Sequence, residues 1–410
     1  MKIIKNNEKS ILLVGGGVLQ SYSIAIARKK GLKIFLSDGN KNCYCKKYVD
    51  SFFEINTKDY KKTAALALHL KNQFSLKSVY TQGTDVAFTV AYAAKKSGLY
   101  GLDPDIALST ENKIIMRQKF AKHGMAHVKF MSINKEQELD ECIKKIKFPM
   151  YIKPADNCAS RGISRVTNIR ELRKAYQYAK KFSLLNKDIL AESEIKGKEY
   201  SVDTIIIDGK LYNAGISDRS FFKNEYYSIQ DGSVTPSNLD ENTQENMLKI
   251  MDKAAKILNI NNSAFKGDLI IDKKDKKIKI IEVAARTSGG FDAQVRKPIS
   301  FGTNIIGATI DLSLNNDVNM QDLIPKWIKW SKTFSIFPKP GIVNKINGIK
   351  WLNQTNYVVD TKIFTGKKQK INPIYNSGSR NNFITFKAND MNNLIERENI
   401  IRSKFMIVTK

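Results

Sequence analysis

Cysteine and histidine are scarce in this chain, four and three among 410 residues. The cysteines (Cys43, Cys45, Cys142 and Cys158) are unevenly spaced. That excludes the dense disulfide framework of a small secreted domain and suits a reducing compartment. Cys43 and Cys45 stand two apart, but His69, His123 and His127 do not complete a zinc pattern around them. Long apolar runs are missing too: nothing approaches the roughly 18 residues of a membrane span. The start, MKIIKNNEKSILLVGGG, goes from polar residues directly into a strand without the apolar core of a cleavable leader. A cytoplasmic protein with no membrane partner is expected. Acidic residues are few, 40 against 68 Lys and Arg, for a net charge of +28. That excess would permit phosphate contacts with nucleic acid. The lysines are spread along the whole length, however, and no RNP-like aromatic string, zinc finger or helix-turn-helix signature accompanies them. No nucleic-acid partner is expected, and a general positive field favours small polyanionic substrates equally well.

With 42% hydrophobic residues the chain can build a substantial core, and its length implies two to four subdomains. It opens with a strand at Ile11–Val14, Gly15-Gly16-Gly17, an amphipathic helix from about Leu19 to Lys30, and a second strand from Lys33 ending at Asp38. An acid about twenty residues past glycines suggests a dinucleotide site, but GGGVLQS does not place the third glycine of that fingerprint. The alternation continues with a helix near Asp59–Phe74, a strand at Ser78–Thr81 and a helix near Val86–Ser97, which implies an open, mostly parallel sheet. Within residues 105–122, Lys113 stands on a helix that continues through Met116 and Phe120; a lysine at the start of a helix is more commonly a solvated surface residue.

Three segments carry the chemistry. In FPMYIKPADNCASRGISR, residues 148–165, an apolar strand ends at Lys153 and Pro154, and a loop of small residues follows before a strand resumes near Val166. Small side chains at Ala155, Ala159, Ser160 and Gly162 would let backbone N–H groups close over an anion, with Lys153 and Arg161 as charged donors. An ordinary hairpin with a basic loop fits these residues as well. In residues 188–210, Glu192 ends a strand, Ser193-Glu194-Ile195 forms a connector, and Glu199 heads the next strand. The two glutamates could face opposite ends of one ligand, or be solvated surface charges. In residues 265–292, Asp268 begins a strand, Asp275-Lys276-Lys277 turns, and the return strand Ile278–Val283 carries Glu282. A hairpin turning there places Asp268 beside Glu282. Adjacent carboxylates repel unless a cation lies between them, and oxygen ligands alone imply Mg²⁺ rather than zinc. Arg286 follows, ahead of a flexible Ser288-Gly289-Gly290. Past about Pro325 the chain becomes short strands and turns ending in a helix and a last strand.

Together these segments resemble the ATP-grasp superfamily, in the carboxylate–amine ligase branch that holds the L-amino acid ligases and carbamoyl-phosphate synthetases. ENKIIMRQKF resembles its K-x-x-x-R helix, IKPADNCASRGIS its lysine and mobile glycine-rich loop, and PKPGIVNKINGI the β-rich terminal lobe of its carboxylase and L-amino acid ligase branches. The resemblance implies an α/β fold, α+β in its central part. An N-terminal open parallel sheet (1–112) would precede a two-lobed ATP-grasp domain (113–325) and a small β-rich domain (326–410). The central domain would divide into a mobile lid lobe, 113–195, and a metal and phosphate lobe, 196–325. It further implies ATP and Mg²⁺ or Mn²⁺ as cofactors. Lys113 and Lys153 would contact the phosphates, and Ser160, Arg161 and Gly162 would cover them. Glu192 would accept from the adenine amino group, the backbone of Ser193 and Ile195 would complete the adenine edge, and Glu199 would bind the ribose. Asp268 and Glu282 would hold the metal. Arg286, with Lys153, would act on the transferred phosphoryl group or the substrate carboxylate. The strand E-x-N-x-R of many members has Ala284 in place of its Asn, which weakens the case for a second metal.

The activity implied is ATP-dependent amide formation between small carboxylate and amine substrates, of amino-acid or sugar-acid type, through an acyl phosphate with release of ADP and phosphate. Carboxyphosphate, formyl or carbamoyl chemistry on a nucleotide precursor or sugar is the alternative, followed by a nicotinamide oxidoreductase or a nucleotide-binding protein without chemistry. Substrate recognition is expected in variable loops, with Asp218-Arg219-Ser220, Asp231-Gly232 and Ser288-Gly289-Gly290 as candidates and a surface loop as the other reading of Arg219. A homodimer is consistent with the superfamily, although no interface is legible.

Overall fold

Four strands at the N-terminal end pair in parallel, in the order Ser51–Glu54, Lys33–Asp38, Ser10–Val14, Leu76–Tyr80. The central strand Ser10–Val14 is buried along its whole length, as a parallel strand covered by helices on both faces must be. A computed structural model describes residues 8–125, 128–184, 188–223 and 228–410; the first seven residues and His127 lie outside it. Helix Tyr60–Phe74 begins where the Asp59 side chain accepts from the Lys62 N–H. Strand Ser51–Glu54, which the sequence does not announce, is a half-exposed edge strand of four residues. Strand order reverses beside Ser10–Val14, and open α/β sheets bind ligands at such a reversal, outside the carboxyl ends of the strands. Asp38 is not a ribose ligand here. Its two oxygens accept from Gly16 N–H (2.7 Å) and Asn40 N–H (2.7 Å), so it closes the turn around the glycines. A Cβ on Gly16 would lie 2.6 Å from the Cys43 sulfur, which explains both the glycine and the buried thiol.

Two helices occupy residues 104–122, Pro104–Glu111 and Lys113–Lys122, the second running through Met116 and Phe120 as expected. Asn112 separates them in an extended conformation, and its side chain accepts from the N–H groups of Ile114 and Ile115. Asparagine caps a new helix more readily than it continues an old one. The break has a positional consequence: Lys113 becomes the first residue of its helix, and its N–H bonds to the carbonyl of Ala155 at 2.9 Å.

The predicted strand, loop and strand around Lys153 is present as Met150–Pro154 paired antiparallel with Ser164–Val166. With Ile189–Ser193 and Phe130–Ile133 they form a four-stranded sheet. Helix Ile169–Phe182 covers it, burying Leu172, Ala175, Tyr176 and Ala179 at helical spacing.

The remaining layer is an antiparallel eight-stranded sheet. Its order is Ile278–Ala284, Ser263–Asp272, Gly197–Ile207, Lys210–Lys223, Ser228–Thr235, Trp330–Ser335, Asn382–Ala388, Val358–Ile363. Asp268 lies inside its strand rather than at the start, because Ser263–Phe265 also pair with the neighbouring Thr204–Ile206. The register sets Asp268 directly opposite Glu282. Helix Glu241–Ile257 packs Met247, Met251 and Ala254 against Val202, Phe265 and Leu269. Strands from the last eighty residues continue this sheet, while Lys370–Ile371, Gly341–Asn347 and Met406–Thr409 make a small sheet of their own.

Replacing the cap, Asn112→Ala, is expected to cost about 1 kcal/mol and to lower the midpoint of thermal unfolding. An unchanged midpoint would mean that the Ala155 contact alone holds this helix start.

Candidate active site

The three layers meet around a cavity of about 370 Å³. Turns at the carboxyl ends of the parallel strands contribute Leu19, Gly83 and Asp85. The four-stranded sheet contributes Lys153, Ser160, Glu192 and the connector Ser193 and Ile195, and the large sheet contributes Glu199, Asp268 and Glu282. Lys113 and Arg286 complete the set of expected residues that line it. Arg161 and Gly162 do not line the cavity. Ala159 and Ser160 are in left-handed conformations (φ 57° and 59°), and this turn carries the Arg161 guanidinium back onto Asn157 Oδ1 (3.4 Å). Gly162 (φ 74°) serves close packing: a Cβ would fall 2.8 Å from Phe182 and 2.9 Å from Pro154.

Glu192 is the most heavily engaged group. It is buried, its Oε1 accepts from Arg117 Nε at 2.5 Å, and its Oε2 pairs with Lys153 Nζ. Burial alone would push this carboxyl up, but Arg117 and Lys153 outweigh it and hold it at about 2. Lys153 is pushed down, by burial first and by Arg117, against the pull of Glu192. Arg117 also donates through Nη1 to the carbonyl of Ile280 (2.9 Å) and through Nη2 to that of Ile281 (2.6 Å). One guanidinium therefore joins helix Lys113–Lys122, the small sheet and the strand that carries Glu282. The K-x-x-x-R spacing was the signal for it, although no role was attached to its arginine. Ser193 donates its N–H to the Lys129 carbonyl at 2.9 Å, so that N–H is not available to a ligand.

Asp268 and Glu282 face each other as the hairpin predicts. Asp268 Oδ2 is matched by Lys266 Nζ and by Arg219 Nη1 at 3.1 Å, whereas Asp268 Oδ1 is buried and has no hydrogen-bond partner. Glu282 lies 3.5 Å from Lys113 Nζ, which also donates to the Asn157 carbonyl at 2.8 Å. Burial opposes its ionisation, but Lys113, Lys266, Lys153 and Arg219 keep the Glu282 carboxyl well below the usual range. An orphaned carboxylate oxygen beside an ionised glutamate fits a hard divalent cation. Mg²⁺ is commonly held by one or two carboxylates together with substrate phosphates and water. No cluster of three or more His, Cys, Asp or Glu suited to a metal exists among the described residues, so any cation here depends on its ligand's oxygens.

Arg286 points at a partner that sequence reasoning missed. Its Nε and Nη2 both reach Asp85 Oδ1, at 2.7 and 2.6 Å, and its Nη1 donates to the Thr287 carbonyl at 3.0 Å. One hydrogen on each terminal nitrogen remains for a ligand. Ser288-Gly289-Gly290, expected to be flexible, is pinned. Ser288 donates its N–H to Asp203 Oδ1 (2.9 Å), its hydroxyl bonds to the same carboxylate, and its carbonyl accepts from Gln294 (3.0 Å). Beneath it Lys297, with no exposed surface, is held between Asp203 and Asp292. Arg219 and Asp231-Gly232 are not in loops: they belong to strands Lys210–Lys223 and Ser228–Thr235. Arg219 is partly buried between Glu199 (3.0 Å) and Asp268. Cys158 lines the cavity with its thiol pushed up to about 11 by burial and by Asp85.

This arrangement is that of an ATP-grasp fold, and residues 146–294 match the model of the ATP-grasp domain. The chain is 27% identical over 225 residues to the D-alanine–D-alanine ligase of Prochlorococcus marinus (strain MIT 9515), a match covering 50% of this chain and 61% of that protein. The chain thus spans about three-fifths of that relative's length. Its fold superposes on the L-amino acid ligase from Bacillus licheniformis with a TM-score of 0.83 at 20% identity, covering 99% of this chain and 100% of that one. Phosphoribosylglycinamide synthetase from Anaerococcus prevotii is also similar, with a TM-score of 0.76 at 18% identity over 98% and 100% of the two chains. Among the described residues no helix is long and apolar enough to cross a membrane.

Glu192→Gln leaves Arg117 and Lys153 buried without their anion and is expected to destabilise the fold by about 3–5 kcal/mol at neutral pH. The ordinary value of 4.5 and the held value of about 2 set the pH window. Because the native carboxyl is depressed, its contribution is complete above about pH 5 and is lost as pH falls toward 2. The gap between wild-type and variant melting temperatures should close over that range. A gap that is small at pH 7, or independent of pH, would contradict the pairing.

Proposed function

We propose that the chain is an ATP-dependent carboxylate–amine ligase that forms an amide through an acyl phosphate, releasing ADP and phosphate, on a small acid of the amino-acid or sugar-acid type. The observation that carries this reading is the pair Asp268 and Glu282, set opposite each other with one buried oxygen unpartnered, across a cavity from Lys113, Lys153 and a loop of small residues. The amide-forming activities for which the similar D-alanine–D-alanine and L-amino acid ligases are named support amide formation. The likeness to phosphoribosylglycinamide synthetase is one of fold, and it keeps chemistry on a nucleotide precursor as the second reading.

The functional division proposed is 1–112, a lid lobe 113–195, a metal and phosphate lobe 196–325, and 326–410, although strands of the last part pair into the same large sheet. Val128, Tyr151, Ile163 and Ile281 offer apolar surface for an adenine, with Ile195 at its edge and Glu192 near its amino group, and Glu199 is placed for a ribose. Lys113 and Lys153 meet the phosphates, which the loop containing Ser160 covers. Its neighbours Arg161 and Gly162 shape that loop rather than touch the nucleotide. Asp268 and Glu282 hold Mg²⁺ or Mn²⁺, which when bound neutralises phosphate charge that would otherwise repel an attacking carboxylate. Arg286, oriented by Asp85, directs its remaining hydrogens at the transferred phosphoryl group or the substrate carboxylate. The chain's share of the chemistry is positioning and electrostatic stabilisation, together with exclusion of water from a hydrolysable acyl phosphate. No side-chain nucleophile is required.

The purified protein, incubated with Mg²⁺-ATP and a panel of carboxylic acids with and without hydroxylamine, should release ADP only with particular acids and yield the matching hydroxamate. Glu282→Gln should lower that ADP release on the order of 10²-fold. Acid-independent or bicarbonate-dependent ADP release with no hydroxamate would overturn the amide reading.

A further inference from the structure

Among the described residues, one guanidinium in the cavity forms no ion pair with a carboxylate. Arg380 follows the turn Ser377–Ser379 and reaches the cavity wall from the C-terminal part of the chain. Its Nε donates to the Ser377 carbonyl (3.0 Å) and its Nη1 to the Gln230 carbonyl (3.2 Å), and it stands over the Phe383 ring at 5.7 Å. Among the described residues it forms no ion pair, unlike the other cavity arginines. Arg117 has Glu192, Arg165 has Glu194, Arg219 has Glu199 and Asp268, Arg286 has Asp85, and Arg296 has Asp292 at 3.1 Å. Burial and the nearby Arg219 push Arg380 down to about 10, with Asp231 opposing and Arg296 adding to the repulsion. A desolvated cation among other cations is unfavourable until an anion joins it. Its planar fork suits a carboxylate.

Two anions could come to this cavity, a nucleotide phosphate and a substrate carboxylate. Position favours the second. Phe383, under Arg380, packs against Phe291 at 5.0 Å, next to the pinned turn Ser288–Gly290 and the Asp292–Arg296 pair. The cations assigned to phosphate are anchored elsewhere, Lys113 on Asn157 and Glu282, and Lys153 on Glu192. We propose that Arg380 receives the free carboxylate of the amine-bearing substrate, so that the enzyme selects an amino acid over a plain amine as its acceptor. This assignment rests on the ligase reading. The turn preceding Arg380 also touches the loop over the phosphates, through Ser377 N–H to the Ala159 carbonyl (3.1 Å). The acceptor's anchor and that loop are therefore held by one short segment.

The test uses the full chain with an acid identified by hydroxamate formation, and follows product masses with individual L-amino acids and their carboxamides as acceptors. Wild type should prefer the amino acid on the order of 10²-fold in kcat/KM. Arg380→Gln should reduce that preference to a few-fold with the KM for ATP unchanged, and Arg380→Lys, which keeps the charge but not the fork, should fall between. Because Arg380 forms no ion pair among the described residues, the Gln variant should melt close to the wild-type temperature without substrate. The proposal is overturned if the preference survives in the Gln variant, if the KM for ATP rises instead, or if the variant is markedly destabilised. If no acid yields a hydroxamate the ligase reading fails by itself, and Arg380 is then probed by thermal shift with malonate in the presence of Mg²⁺ and a non-hydrolysable ATP analogue. Stabilisation of wild type but not of Arg380→Gln would uphold an anion site, and an equal response, or none, would end it.

Discussion

Arg117 is the side chain on which the geometry of the cavity depends. A helix, a four-stranded sheet and the edge strand of an eight-stranded sheet have no continuous backbone pairing with one another, yet all three must present charged groups to one small volume. One buried guanidinium does this by bonding to Glu192 on the small sheet and to two successive carbonyls, Ile280 and Ile281, on the strand that carries Glu282. The fixed fork of an arginine matches this task; a lysine could not meet three acceptors in one plane. Glu192 is in turn the anion that permits Arg117 and Lys153 to share a dry region, which explains why it stays ionised so far below its ordinary value.

The charges around the cavity are otherwise nearly all matched, and the exceptions are informative. Arg219 sits between Glu199 and Asp268, Arg286 against Asp85, and Lys297 between two aspartates with no exposed surface. Preorganisation of this kind keeps the dipoles in place when charge moves, so little reorganisation is needed at the moment of reaction. Two groups stand out against that background. Among the described residues, Asp268 Oδ1 is a buried acceptor without a donor, and Arg380 is a cation that forms no ion pair. They call for ligands of opposite sign, a metal ion and an acid group, and the proposed carboxylate–amine ligase reaction would use both.

Much of this was legible in the sequence, for local reasons. The hairpin turn at Asp275-Lys276-Lys277 announces that Asp268 and Glu282 come close, but an irregularity between Asp268 and Leu269 shifts the register by one residue, and it is this shift that sets Asp268 opposite Glu282. Pro154 and the small residues after it likewise announced the loop between Met150–Pro154 and Ser164–Val166. What was not legible depends on distant contacts. Asp85 reads as an ordinary turn residue until Arg286, 201 positions away, folds onto it. Arg219 reads as part of a loop, either for substrate recognition or merely at the surface, and only the pairing of its strand with both neighbours reveals that it belongs to the cavity wall. Arg161 was misplaced because two left-handed residues before it reverse the direction of its side chain, and no residue type there gives warning of that. Arg380 arrives from a segment whose composition suggests only a turn.

In the proposed reaction a substrate carboxylate attacks ATP and an amine then displaces phosphate. The oxygen that makes the attack must leave with that phosphate. Turnover with an acid labelled with ¹⁸O in its carboxylate, followed by ³¹P NMR of the inorganic phosphate, reads this directly. One labelled oxygen carried into each phosphate released is the result the account predicts. Phosphate free of label, with both labelled oxygens retained in the organic product, would contradict it.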